Sequence, residues 1–169
     1  MSELDLTTFA NSDAALTECA RRITVPRTPA LQDLIKLWHA RPADGFEIGR
    51  DIPSRAFAPF LSHLLFWAPM VGGNDLVLRL CGEALRLRFG DDAIGKRFSE
   101  VIGADVAPYF LTEGKQHLTD ESYVCFDMRL LRKEPIEGRS ELHFELVIFP
   151  VWAQQRSERW ILNALYYFL

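Results

Sequence analysis

The sequence predicts an α+β fold in which a five-stranded antiparallel sheet is covered by helices on both faces. From residue 123 onward there are three strand-like runs: the first has one apolar and one more polar face, and the next two carry apolar residues on both faces, which must be buried on both sides. Earlier in the chain, the apolar runs 64–68 and 76–80 flank a glycine-rich turn at 72–75, which is the pattern of a β-hairpin. The hairpin supplies two strands and the C-terminal runs supply three.

Amphipathic segments before the hairpin predict the cover for one face. Residues 12–23 have apolar positions at helical spacing, so a short helix is expected there. A clearer helix starts at Thr28-Pro29, with threonine as the cap and proline in the first helical position. Its apolar stripe, at i, i+3, i+4 and i+7, consists of Leu31, Leu34, Ile35 and Trp38.

Short helices between residues 83 and 118 predict the cover for the other face. Gly82, Gly90, Gly95 and Gly103 divide this region into short segments, and Asp105 is placed to cap a longer helix that runs to about Leu118. The chain is therefore expected to consist of an N-terminal extension, 1–28, and one domain, 29–169.

Composition excludes several classes of protein. A chain of 169 residues that is 49% hydrophobic and contains twelve Phe, four Trp and four Tyr can bury one substantial core. The net charge is −4 and basic residues are scattered, so nucleic acid is not an expected partner. The acidic N-terminus does not resemble a signal peptide, and no apolar run reaches the roughly 20 residues that span a bilayer. We expect a soluble, cytoplasmic protein without a membrane partner.

The chain contains no motif that indicates catalysis or a cofactor. Cys19, Cys81 and Cys125 are widely spaced and form no C-x-x-C pair, which favours reduced thiols over a disulfide or a zinc site. Phosphate loops, nucleophile elbows and kinase motifs are also absent from the sequence. We therefore expect a protein that is not an enzyme, and the sequence indicates no cofactor or metal.

A set of aromatic, charged and glycine residues in 37–102 adds a family resemblance. Strand, strand, several short helices and a three-stranded meander is the element order of a PAS domain, and this stretch is similar to a PAS-related family of alphaproteobacterial single-domain proteins. The residues that carry the similarity are Trp38, Arg41, Asp51, Pro53, Arg79, Gly82, Phe89, Gly90 and Gly95. The chain departs from the family pattern at Glu83, where a small hydroxyl residue is usual.

The resemblance implies a PAS fold with a pocket between the sheet and the short helices, and self-association. Six residues are candidates for the lining of that pocket, although core packing would place most of them in the same positions: Phe98, Tyr109, Val124, Phe126, Met128 and Arg79. Arg79 interrupts an apolar strand and would either anchor an anionic ligand or pair with a nearby carboxylate. Pairing is the favoured reading.

Five further residues have more than one interpretation. His117 is placed to act as a haem ligand, but an exposed position at a helix C-terminus is favoured. Asp127 and His143 could face each other on neighbouring strands as an acid/base pair, but a polar pair on the outer face is favoured. Glu145 and Arg129 are expected to be solvated or partner-facing on that same outer face.

These expectations favour a stand-alone regulatory or sensory PAS domain that acts through protein–protein interaction. The N-terminal helices are the expected dimer or partner surface, so deletion of residues 1–28 should change the oligomeric state and leave the fold. One alternative is a module with a small-molecule ligand in its pocket. Another is a small cone-shaped α+β isomerase or dehydratase, which would need His or Asp side chains inside the cone.

Overall fold

A computed structural model describes residues 20–102, 107–136 and 139–168, and within them one sheet and its covering helices. The strands are β1 (Ala20–Ile23), β2 (Leu64–Pro69), β3 (Leu76–Cys81), β4 (Val124–Ile136), β5 (Arg139–Trp152) and β6 (Arg159–Tyr167). The helices are α1 (Pro29–His39), α2 (Glu83–Phe89), α3 (Phe98–Ile102) and α4 (Ala107–Asp120). Two 3₁₀ turns, Leu61–His63 and Gln154–Arg156, precede β2 and β6.

The strand order across the sheet is β1-β4-β5-β6-β2-β3, and every pairing is antiparallel. The predicted α+β class with an antiparallel sheet is therefore confirmed, but the predicted strand count of five is wrong. The sixth strand is β1, which pairs with β4 from Ala20 opposite Met128 to Ile23 opposite Cys125. Residues 20–23 were expected to end a helix; they instead cover the hydrogen-bonding edge that β4 would otherwise leave open. The rest of that predicted helix, 12–19, lies outside the described residues.

Each face of the sheet is buried beneath helices, as the apolar strands require. The first core cluster lies between the sheet and helices α2, α3 and α4, and includes Trp67, Leu78, Leu85 and Phe126. The second lies beneath α1 and includes Leu31, Leu34, Trp38 and Phe149. Alternation along β4 divides the strand between them, so that Phe126 and Met128 enter the first cluster and Cys125 enters the second.

Helix α1 begins where its sequence predicts. Thr28 has an extended backbone (φ −68°, ψ 117°) and Pro29 is the first helical residue. The Thr28 carbonyl accepts the first intrahelical hydrogen bond, from the Gln32 N–H at 3.1 Å. However, the Thr28 hydroxyl does not cap its own helix. It donates instead to a carboxylate on β5, as described below.

Several of the residues that carry the family resemblance make local contacts or adopt special backbone conformations. The Arg41 guanidinium lies 3.8 Å from the Trp38 ring centroid, and the Asp51 carboxylate accepts the Glu47 N–H at 2.8 Å. Gly82 passes so close to the chain before β2 that a β-carbon there would lie 2.4 Å from the Ser62 carbonyl. Arg79 lies on β3 and Phe89 ends α2, while Pro53 follows a cis peptide bond and Gly90 and Gly95 have positive φ.

Helix length and composition also bear on membrane contact. Among the described residues, none of the helices combines the length and the apolar character that crossing a bilayer requires.

Candidate functional site

Most of the predicted pocket residues lie inside the first core cluster. Val124, Phe126 and Met128 are each at most 5% exposed, and Phe98 packs against the same cluster with its ring edge-on to Trp67 at 4.9 Å. Their neighbours in the cluster are apolar side chains. The arrangement is one of close packing between the sheet and the short helices, so a ligand-binding role for these residues stays a prediction.

Two of the predicted pocket residues lie elsewhere. Tyr109 is exposed on α4, and its neighbour Phe110 takes the inward position, 6.0 Å from the Phe126 ring. Arg79 is exposed on β3, the last strand of the sheet, so it belongs neither to that cluster nor to a buried ion pair. The apolar run around Arg79 suggested burial on both faces, but an edge strand leaves part of its length open to solvent.

His117 is buried, so the expectation of an exposed position is wrong. It lies on the inner face of α4 with Leu111 and Gly114 and is 8% exposed. Its Nδ1 lies 2.8 Å from the Ser122 hydroxyl, and its Nε2 has no hydrogen-bond partner among the described atoms. Burial lowers the pKa of His117, against a smaller opposing effect of the Glu113 carboxylate. The haem-ligand role stays a prediction.

Two carboxylates buried side by side form the main polar feature beneath α1. Asp127 of β4 pairs in register with Glu145 of β5, and the two are 5% and 1% exposed. The expectation that Glu145 faces solvent or a partner is therefore wrong, and so is the placing of the Asp127–His143 pair on an open outer face. The chain before α1 covers this part of the sheet; Arg129, two residues further along β4, is exposed.

Glu145 is held by two consecutive residues at the start of α1. Its Oε1 accepts the Arg27 N–H at 3.0 Å and the Arg27 Nε–H at 3.2 Å. Its Oε2 accepts the Thr28 N–H at 2.9 Å and the Thr28 hydroxyl at 2.7 Å. A helix N-terminus favours a negative charge in this position. Burial alone would raise the pKa of Glu145, but these hydrogen bonds outweigh it and hold the pKa below its usual value.

Asp127 is neutralised by a histidine and two arginines. Its Oδ1 lies 2.5 Å from His143 Nε2 and 3.5 Å from Arg27 Nη2, and its Oδ2 accepts from Arg21 Nη2 at 2.9 Å. His143 Nε2 also lies 3.1 Å from Arg27 Nη2, so the histidine contacts both Asp127 and Arg27. Burial opposes the charge on Asp127, but the hydrogen bond and charge of His143, with the two arginines, lower the pKa of Asp127 overall.

Aromatic contacts close the outer side of this network. The Arg27 guanidinium lies 4.7 Å from the Phe168 ring centroid, and the His143 imidazole lies 4.5 Å from the same ring. A cation over an aromatic face is attracted to it, most strongly where water is displaced. Arg27 therefore contacts Glu145, Asp127 and Phe168 at once.

The donors of this network come mainly from one short segment. We call residues 20–28 the N-terminal strap: it supplies Arg21, Arg27 and Thr28, and β1 is part of it. The four hydrogen bonds that Glu145 accepts from described residues, given above, all come from the strap. The sequence did not predict the site because an acidic residue that alternates with apolar ones in a strand is usually expected to face solvent. The signal that could have predicted it is the group of Arg21, Arg22 and Arg27 just before a helix start, which has no acidic residues next to it in sequence.

The two described cysteines are not reactive groups of this site. Cys125 is buried two residues before Asp127 on β4, and burial raises the pKa of its thiol to about 12. Cys81 is partly buried, and burial raises its pKa to about 11. Both thiols are therefore protonated at neutral pH, and thiolate chemistry is disfavoured. Cys19 lies outside the described residues.

Comparisons with known proteins assign no family to the chain. No family model matches it, and a search of curated proteins finds no similar sequence. A function must therefore be argued from the fold and from the buried carboxylates.

Proposed function

We propose that the chain is a PAS-like regulatory domain that acts through protein–protein contacts on its N-terminal side. The strand order supports this: β2 and β3 form a hairpin beside β6, the last strand of the β4–β5–β6 meander, and three helices lie between β3 and β4. Such an arrangement is expected of a PAS fold, with β1 added at one edge. Folds of this kind serve many functions, so the role must come from the site.

The attachment of the strap to Asp127 and Glu145 is the observation that carries the regulatory role. These carboxylates alternate along β4 and β5 with Phe126, Met128, Phe144 and Leu146, whose side chains enter the core beneath α2, α3 and α4. A rearrangement in that core moves the same two strands, and with them the carboxylates that hold the strap. Changes on one face of the sheet are thereby passed to the segment that precedes α1 on the other face.

Disengaging the strap in the full chain tests this role. Arg27→Ala removes contacts to both carboxylates, and Arg21→Ala removes one contact to Asp127 only. We expect faster amide hydrogen exchange in residues 20–23 for both variants, with the larger effect for Arg27→Ala, and a changed molar mass by light scattering. Faster exchange in 20–23 with an unchanged mass and unchanged self-association would contradict a role of the strap in protein contacts.

The structure alters one sequence-based expectation about truncation. Deletion of residues 1–28 would remove β1 and every donor to Glu145, so the fold is expected to lose stability as well as change its oligomeric state. Deletion of residues 1–19 keeps the strap. It is the comparison truncation, because it retains the described contacts of the strap with Glu145.

An acid/base enzyme is the second candidate, favoured by the 2.5 Å contact between His143 and Asp127. A carboxylate that orients an imidazole is a common catalytic arrangement. Here, however, Asp127 also binds Arg21 and Arg27, and Phe168 covers the imidazole. The charges are matched within the chain, which favours a structural pair. Turnover of any carbonyl or hydroxy-acid substrate that His143→Gln abolishes would support the enzyme instead.

A further inference from the structure

Arg159, at the start of β6, is a buried cation with incomplete pairing. Its side chain is 16% exposed and its guanidinium lies 4.2 Å from the Trp152 ring centroid. Nη2 contacts the Glu121 carboxylate, yet Nε, Nη1 and Nη2 have no well-aligned hydrogen-bond acceptor among the described residues. A guanidinium carries five N–H donors, and buried donors without acceptors are unfavourable. Such a group calls for an additional acceptor.

Two further arginines add positive charge around Arg159. Arg156 also lies over the Trp152 ring, at 4.3 Å, and pairs with Asp44 at 2.9 Å. Arg41 donates only to the Trp38 carbonyl, at 2.9 Å, and has no carboxylate partner within the described ranges. Burial lowers the pKa of Arg159, and the charges of Arg156 and Arg41 lower it further, against the effect of Glu121.

Glu121, the carboxylate that contacts Arg159, is in a position where another carboxylate could displace it. Its side chain is 52% exposed, so it can return to water without a large change in solvation. Its backbone has φ 50°, in the left-handed region that residues with a side chain rarely adopt. Gly45 also approaches the guanidinium closely, because a β-carbon there would lie 3.6 Å from Nη1.

We propose that Arg159 binds the carboxylate group of a small molecule in the position that Glu121 occupies, with the Trp152 indole as its apolar flank. The planar guanidinium fork matches the geometry of a carboxylate, whereas the single contact with Glu121 leaves the other donors without an acceptor. A few convergent polar groups beside aromatic surface are typical of small-molecule sites. Trp152 lies seven residues along β5 from Glu145, roughly 23 Å at the usual strand rise. The site is thus separate from the strap, and binding at Arg159 can be tested whatever the strap does.

Removal of the resident carboxylate tests this site. Glu121→Gln leaves Arg159 without its counter-charge, so the variant should melt at a lower temperature than the wild type. Sodium acetate should restore its Tm, whereas sodium chloride of equal ionic strength should not. In the same titrations the Trp152 indole N–H signal should shift saturably by NMR, with an acetate affinity about fivefold or more above that of the wild type, the factor of one ion pair.

Two control variants complete the test. Glu158→Gln removes an exposed carboxylate that contacts Trp160, and it should show no acetate-specific rescue. The Arg159→Lys/Glu121→Gln double variant keeps the positive charge without the planar guanidinium fork, and it should lose most of the acetate response while remaining folded. Three results would each overturn the carboxylate site. Acetate and chloride could have equal effects on the Tm of Glu121→Gln, or the double variant could show an undiminished response to acetate. The third is a response of Glu121→Gln to sodium phosphate and not to acetate.

Discussion

Glu145 of β5 accepts hydrogen bonds from both the backbone N–H and the hydroxyl of Thr28, a residue 117 positions away in sequence at the start of helix α1. In most helices the cap residue's own side chain accepts a hydrogen bond from the first turn. Here the threonine donates instead, and a carboxylate from the sheet satisfies the helix N-terminus. The start of α1 is therefore defined by a tertiary contact, and the stability of the helix depends on the sheet.

The first prediction concerns Glu145→Gln. Its amide NH₂ group would face N–H donors of Arg27 or Thr28, and Arg27 would lose a buried counter-charge. We expect the free energy of unfolding, from urea titration, to fall by about 3 kcal/mol. Thr28→Val removes only the hydroxyl donor and should cost about 1.5 kcal/mol. As the matched surface control, Asp33→Asn breaks an exposed pair with Lys36 and should change stability by less than about 1 kcal/mol.

The second prediction is a loss of stability in acid. The pKa values of Asp127 and Glu145 are lowered in the folded protein, so both groups bind protons more readily in the unfolded chain. Their contribution is complete above the unfolded pKa values, about 4, and disappears as pH falls through the lower folded values. The decline of stability below about pH 4 should be shallower in Asp127→Asn/Glu145→Gln than in the wild type. Parallel pH profiles of the unfolding midpoint would show that the carboxylates are not held in their charged forms.

Local patterns predicted much of this fold because they report which side of an element is buried. The i, i+3, i+4, i+7 stripe of α1 and the Thr28-Pro29 start predict the observed helix, since both depend on neighbouring residues only. The hairpin around 72–75 is also found as predicted. Strand β1 was missed because residues 20–23 form a strand only by pairing with β4, more than 100 residues later. No local pattern reports such a partner.

The carboxylate site was missed for a related reason. Asp127 and Glu145 occupy positions that alternate with Phe126 and Phe144, and such positions usually face water. They are buried because the strap crosses them, and their charges are acceptable because Arg27 and Thr28 arrive from the other end of the chain. His117 shows the same limit. Its polar neighbours in sequence suggested exposure, whereas the helix turns it toward the sheet.

The third prediction compares two glycines. Gly82→Ala would place a β-carbon 2.4 Å from the Ser62 backbone carbonyl, so the segment before β2 must shift. We expect a loss of about 3 kcal/mol in the free energy of unfolding. In Gly73→Ala no atom lies within 4 Å of the new β-carbon, and only the positive φ of 69° opposes it, which should cost about 1 kcal/mol. Equal losses in the two variants would show that the close approach at Gly82 is not restrictive.

The fourth prediction concerns His117, whose imidazole is buried on the inner face of α4. Because burial lowers its pKa, its NMR titration midpoint should lie below the ordinary value of about 6.5. In the unfolded chain the same imidazole takes up its proton at a higher pH. The folded state is therefore at full stability above about pH 6.5 and loses stability as the pH falls below that value.

His117→Gln tests this link, because it keeps a polar side chain but cannot take up a proton in this range. Between pH 7 and pH 5 its free energy of unfolding should vary less than that of the wild type. His39, which is exposed near the end of α1, provides the matched histidine-to-glutamine substitution for comparison. A titration midpoint at or above 6.5 would contradict this prediction, and so would the same slope in all three proteins. Either result would mean that the imidazole of His117 reaches water in solution. Helix α4 would then pack less closely on the sheet than the close approach of Gly114 to the Ile161 side chain indicates.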